Sequence, residues 1–171
     1  MDGRDVDLQA PVISRPEIAT ATNAPVLVAV DFSDEAAAAL IWACDYAQRI
    51  GAPLEILHVI HDPADSPGAY RPDGNDLLEP MADVATRKLD QFVDEVGRTN
   101  SSLRKLRDAE LLCVEGLPAP TILEVARAHR VGLLVLGSQH RKGFARLVHA
   151  STAQQVAGRA TVPVTIVKSG D

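Results

Sequence analysis

Residues Leu133–Ser151 read LLVLGSQHRKGFARLVHAS. An apolar run ends abruptly at Gly137. A polar, cationic loop follows, carrying Arg141, Lys142, Gly143 and Arg146, and the small pair Ala150-Ser151 then stands where a helix can begin. The order is buried strand, loop, helix start. In an open parallel sheet this is the usual place for a ligand phosphate, at the carboxyl end of a strand and near a helix N-terminus.

Working outward, the same alternation recurs. Val26–Val30 (VLVAV) is too short for a helix and rich in β-branched residues, so it reads as a strand buried on both faces. Asp31-Phe32-Ser33 breaks it. Ser33 fits an N-cap, with Asp34 and Glu35 favouring the positive end of the helix dipole. The helix that follows sets Ala37, Leu40, Ile41, Cys44 and Ala47 on one face, and Gly51 stops it. Leu54–Ile60 (LEILHVI) is a second strand. The Pro-, Gly- and Asp-dense residues 61–75 form a long surface loop.

A second helix is predicted from about Leu77 to Gly97, with Leu78, Met81, Val84, Ala85, Leu89, Phe92 and Val96 on its stripe; Leu103 and Leu106 could mark a further turn. Ala109–Val114 is a third strand. A helix begins near Pro118 or Pro120, where a missing N–H is harmless, and turns Ile122, Val125, Ala126 and His129 inward. Leu133–Leu136 and Val162–Val167 are the last two strands. Residues 1–23 carry Pro11 and Pro16 and no sustained period, and read as a mobile tail ahead of a single domain over 24–171. Alternating strands and helices imply an α/β fold: a five-stranded parallel open sheet, Rossmann-like, with helices on both faces. The first and fourth strands should adjoin, so that Asp31 and the Gly137 loop face one another across the crevice.

The bulk numbers narrow the function. A chain of 171 residues buries a core without staples. A net charge of −6 argues against general nucleic-acid affinity. No apolar run is long enough to span a membrane. Cys44 and Cys113 stand far apart in apolar surroundings, as reduced cytosolic thiols do. The first residues lack a secretion signal, so the cytoplasm is the expected location.

Five segments together, VLVAVDFSDEAAAAL, LEILHVI, VEGLPAPTILEVARAHRVGLLVLGS, the loop to Ser151, and VPVTIV, resemble the universal stress protein family over about residues 25–168. The resemblance implies a homodimer and, in many members, ATP held at the carboxyl ends of the first and fourth strands. The adenine nucleotide motif of the family is Gly, two residues, Gly, nine residues, Gly, then Ser or Thr. It falls here on Gly137, His140, Ala150 and Ser151, so two positions match and two depart. The acidic residue after the first strand corresponds to Asp31, near the nucleoside, and the second-strand end that flanks adenine corresponds to Val59.

The departures have physical consequences. At Ala150 the methyl group narrows a phosphate pocket or, at positive φ, strains the backbone by ~1 kcal/mol. At His140 an imidazole occupies volume where a phosphate would lie. Gly143 remains, Arg141 and Lys142 bring charge, and the N–H groups of Ser151 and Thr152 could still point at an anion. Two readings follow. One is a stress-response sensor or adaptor that binds ATP or a related nucleotide in a modified site, with no metal beyond magnesium carried by the nucleotide. The other is a dimeric interaction module that has lost nucleotide binding. Neither reading makes the chain an enzyme beyond weak nucleotide hydrolysis, since no catalytic pair is visible.

Other candidates read more plainly. His58 and His61 lack a third metal ligand and suit a core or rim position. No histidine base accompanies Asp31 and Ser33. The basic stretch Arg98–Arg107 has no interleaved aromatics and suits a solvated loop or helix end better than an RNA contact. Trp42, beside the stripe of the first helix, suits the core or a partner contact. Val162–Val167 is an edge-strand candidate. The family resemblance implies that two copies join there about a two-fold axis; the alternative is an edge covered by the N-terminal tail. A further protein partner is expected, and the sequence does not identify it.

Overall fold

The computed structural model describes residues 23–61, 80–138 and 151–168. The expected tail, apart from Asn23, lies outside them, as do Leu77 and Leu78. Ten elements follow in order: β1 (Val26–Val30), α1 (Asp34–Ile50), β2 (Leu54–Ile60), α2 (Met81–Thr99), a 3-10 turn (Arg104–Asp108), β3 (Glu110–Glu115), α3 (Pro118–Ala128), β4 (Leu133–Gly137), α4 (Thr152–Ala157) and β5 (Val164–Val167). The strands form one sheet in the order β3-β2-β1-β4-β5, every neighbouring pair parallel. β1 lies between β2 and β4, so the strand order reverses at β1 and β4, as the alternation predicts.

Two apolar layers hold the sheet. Val26, Val28 and Ile56 join α1, α2 and the 3-10 turn in one core. Leu27, Leu57, Leu134 and Leu136 join α3 and α4 in the other. β2 is buried along its whole length because both faces are covered. The local rules act where expected. Ser33 Oγ accepts the Ala36 N–H at 3.1 Å, and Gly51 closes α1 at φ 71°. Pro118 occupies the first turn of α3. Cys44 is buried and Cys113 half-buried, neither in a disulfide, and burial pushes both thiols up.

Five expectations are corrected. β4 runs on through Gly137. β5 starts at Val164, not Val162, because Pro163 has no N–H and contributes only its carbonyl, to Leu134 N–H at 3.0 Å. α2 continues past Gly97 to Thr99, and Leu103, at the N-cap of the 3-10 turn, and Leu106, inside it, are then buried. The sheet-facing side of α1 is Ala36, Ala39, Leu40, Ala43, Cys44 and Ala47, while Ala37 and Ile41 stand at its flank. His129 is not on the inward face of α3: it sits exposed at the C-cap, its Nδ1 2.9 Å from Oε2 of Glu55. Glu55 is buried in β2. Burial raises its pKa, and the charge and hydrogen bond of His129 oppose that rise.

Candidate functional site

A cleft of about 140 Å³ opens at the carboxyl ends of β1 and β4. Its floor is apolar: Ala29 and Val30 from β1, Leu57 from β2 and Leu136 from β4. Asp31, Ser33 and Ala36 form one wall; Val59 and His61, at the end of β2, form another. Pro118 and Ile122 of α3 and Thr152 and Ala153 of α4 close the remaining side. Asp31 and Gly137 therefore share one cavity. Thr152 and Val59 line it too, and Ser151 is the N-cap beside it. His140, Arg141, Gly143 and Ala150 lie outside the described residues. Among those described, the lining contains neither lysine nor arginine.

The Asp31 turn is held tightly. Its Oδ1 accepts from Ser33 N–H at 3.2 Å and from Ser33 Oγ at 2.5 Å. Ser33 thus caps α1 and orients the carboxylate at once. Between them Phe32 takes φ 65°, a left-handed conformation that costs a bulky L-residue about 1–2 kcal/mol. The ring contacts hold it there. Phe32 stacks on His58, centroids 4.2 Å apart, and meets the edge of Phe92 at 5.7 Å.

His58 is the residue around which this end of the sheet is organised. The β1–β2 register sets it opposite Val30, and Nδ1–H donates to the Val30 carbonyl at 2.8 Å. A carbonyl only accepts, so the proton is on Nδ1. Burial lowers the pKa of His58, with His61 and Lys88 adding to the effect, while the Val30 hydrogen bond and Asp31 oppose it. The ring is therefore neutral at pH 7. His61 Nδ1 lies 3.2 Å from the Val59 carbonyl, folding its ring over the end of β2.

Gly137 and Ser151 have structural reasons of their own. A Cβ on Gly137 would stand 2.7 Å from the Glu35 carbonyl atoms and 3.0 Å from Ala36 N. Glycine is needed there so that the end of β4 can pass beneath the first turn of α1. Ser151 forms a capping box: its Oγ accepts from Gln154 N–H at 3.2 Å, and its own N–H donates to Gln154 Oε1 at 3.1 Å. That N–H is engaged, so it does not point at an anion as expected. One hydroxyl is left over: Ser138 Oγ, next after Gly137, is buried with no hydrogen-bond partner among the described residues.

Sequence reasoning did not place Phe32, Ala36, Pro118 or Ile122 in the site, and it weighed His58 and His61 only as core, rim or metal positions. The register of β1 against β2 brings both histidines to the cleft. Chemically, the cleft offers a narrow apolar slot, a fixed carboxylate that can accept from hydroxyls, and two imidazoles at one end.

The sequence profile of the universal stress protein family matches residues 22–168. The chain belongs to the universal stress protein family. A universal stress protein of Bacillus subtilis, YxiE, is 30% identical over 152 residues, covering 84% of this chain and 97% of that protein. Among solved structures, the universal stress protein UspA from Lactobacillus plantarum superposes with a TM-score of 0.62 at 28% identity, covering 84% of this chain and 97% of the other. The universal stress protein from Archaeoglobus fulgidus in complex with dAMP superposes at 0.53 with 25% identity, covering 86% and 99%. Against these family members, the Asp31 turn and the end of β4 occupy the reversal point of the same kind of sheet.

Proposed function

We propose that this universal stress protein is a cytoplasmic, ligand-responsive sensor or adaptor whose cleft takes an adenine nucleotide. The observation that carries the reading is the meeting of Asp31 and Gly137 in one cavity where the strand order reverses. Support comes from the dAMP carried by the related Archaeoglobus fulgidus protein. In this reading the apolar slot between Val59, Leu57 and Ile122 holds the base, and the Asp31 carboxylate accepts from ribose hydroxyls. Ser138 Oγ and the cations Arg141 and Lys142 supply the phosphate end. His140, Gly143, Ala150, Ser151 and Thr152 complete the segment that nucleotide would contact, and occupancy changes the surface offered to a partner. Two copies join through the open edge of β5, whose pairing groups have no described neighbour on the outer side.

A second reading has its own support. Gly137 is accounted for by helix packing, the Ser151 N–H by its capping box, and the described lining has no lysine or arginine. In that reading the chain is an interaction module without nucleotide. Equilibrium dialysis against ATP, AMP and cyclic AMP separates the two. Saturable uptake that weakens at least tenfold in Asp31→Ala supports the first; no uptake at millimolar ligand supports the second.

A further inference from the structure

α1 carries an aromatic ridge that is partly exposed among the described residues. Trp42 and Tyr46 stack with ring centroids 5.2 Å apart and planes within 8°. They are 37% and 36% exposed, and Ile50, one turn further on, is 51% exposed. Positions four apart line one flank of a helix. The other flank is occupied: Gln48 Oε1 accepts the Arg104 N–H at 3.0 Å, so that side looks toward the 3-10 turn and the β2–β3 half of the sheet. The ridge therefore looks the opposite way, toward β5.

Among the described residues β5 is the edge of the sheet, paired only with β4. Val164 packs into the α3–α4 core and Val167 into the α1 core. By alternation Thr165 shares the α1 face with Val167. α4 reaches β5 on one face; on the other, α1 is the helix that does so. An apolar strip of Trp42, Tyr46 and Val167 thus borders an open strand edge.

A four-residue strand is too small to be an interface by itself. Stable interfaces bury roughly 1,200–2,000 Å² and use about 20–30 residues a side. We propose that the Trp42–Tyr46–Ile50 ridge is the second half of the dimer interface, meeting the same ridge of a second copy above the joined β5 strands. This rests on the strand-mediated dimer proposed above. α1 lies over β1 and β4, so two-fold-related α1 helices would stand about four strand spacings apart, ~19 Å. Helices in direct contact stand about 8–10 Å apart. Long side chains must bridge the difference, and a stacked Trp–Tyr pair from each copy does so where alanines would leave a wet groove. The Asp45–Arg49 ion pair beside the ridge, 2.8 Å, presents both signs of charge, so identical faces do not repel.

Trp42 is the single tryptophan of the chain, so its fluorescence reads the ridge directly. The full chain is examined by sedimentation velocity and by acrylamide quenching over a dilution series, beside the double variant Trp42→Ala/Tyr46→Ala and the strand variant Ile166→Asp. The expected result is a dimer whose Trp42 emission is blue-shifted and shielded, and becomes red-shifted and quenchable as it dissociates. The double variant should raise the dimer dissociation constant at least tenfold with an unchanged circular dichroism spectrum. Equal quenching in dimer and monomer, or an unweakened double variant, overturns the ridge. If Ile166→Asp still dissociates that dimer, the strand interface survives alone. A wild-type chain that is monomeric at every concentration overturns both.

Discussion

Phe32 holds an unfavourable backbone angle because His58 and Phe92 clasp its ring. The result is an Asp31 carboxylate fixed by Ser33 at the lip of the cleft. Ser33→Ala removes the cap and the hydroxyl part of that hold, leaving the backbone N–H on Asp31 Oδ1. We expect a loss of about 1 kcal/mol in urea denaturation, with weaker nucleotide uptake from a carboxylate that has lost its shortest hydrogen bond. His58 adds a pH dependence. Its folded pKa is lowered, so the folded state resists a proton that the unfolded chain accepts. The stability it protects is complete above its ordinary value of about 6.5 and falls as pH drops below that, levelling off once the lowered folded pKa is passed. Melting temperature should therefore decline between pH 7 and 5, and the decline should shrink in His58→Phe; an unchanged slope would move the effect elsewhere. The Ser33 cap was readable from its neighbours. The left-handed Phe32 was not, because phenylalanine has no preference for that region and its support comes from β2 and α2.

At the scale of elements, two glycines illustrate opposite uses. Gly137 ends β4 beneath α1, where a Cβ would meet backbone atoms that cannot yield. Gly97 lies inside α2, where the nearest described atom that a Cβ would meet outside the helix is Leu106 Cδ1 at an ordinary 3.7 Å. The same substitution should change sign between them. Gly137→Ala is expected to cost about 1–3 kcal/mol through overpacking. Gly97→Ala should gain about 0.4–1 kcal/mol by narrowing the unfolded ensemble. Denaturant midpoints of the two variants check this. Read along the chain, Gly137 looked like a phosphate glycine and Gly97 like a helix stop. Neither reading could see the neighbour that decides: the first turn of α1 for one, and for the other Leu106, which packs beside α2 at ordinary contact distance.

For the whole molecule, binding to the folded state is legible as stability. A nucleotide held only by the folded chain should raise unfolding free energy by about 2.7 kcal/mol at a hundredfold excess over its dissociation constant. Dimerisation should make the melting temperature rise with protein concentration, and the Trp42→Ala/Tyr46→Ala variant should flatten that rise. Calorimetry over a concentration series, with and without AMP, measures both.

Local chemistry along the chain was enough to set the strands, most helix starts and the α/β class, because period, caps and breakers act within a few residues. The five segments quoted above also sufficed to point to the universal stress protein family. Packing alone decided that His58 joins the cleft, that glycine at 137 serves α1, that the Ser151 N–H is engaged, and that Trp42 faces the open edge. Each of those depends on contact between segments far apart in sequence, and the strand order that brings such segments together cannot be read from any one of them.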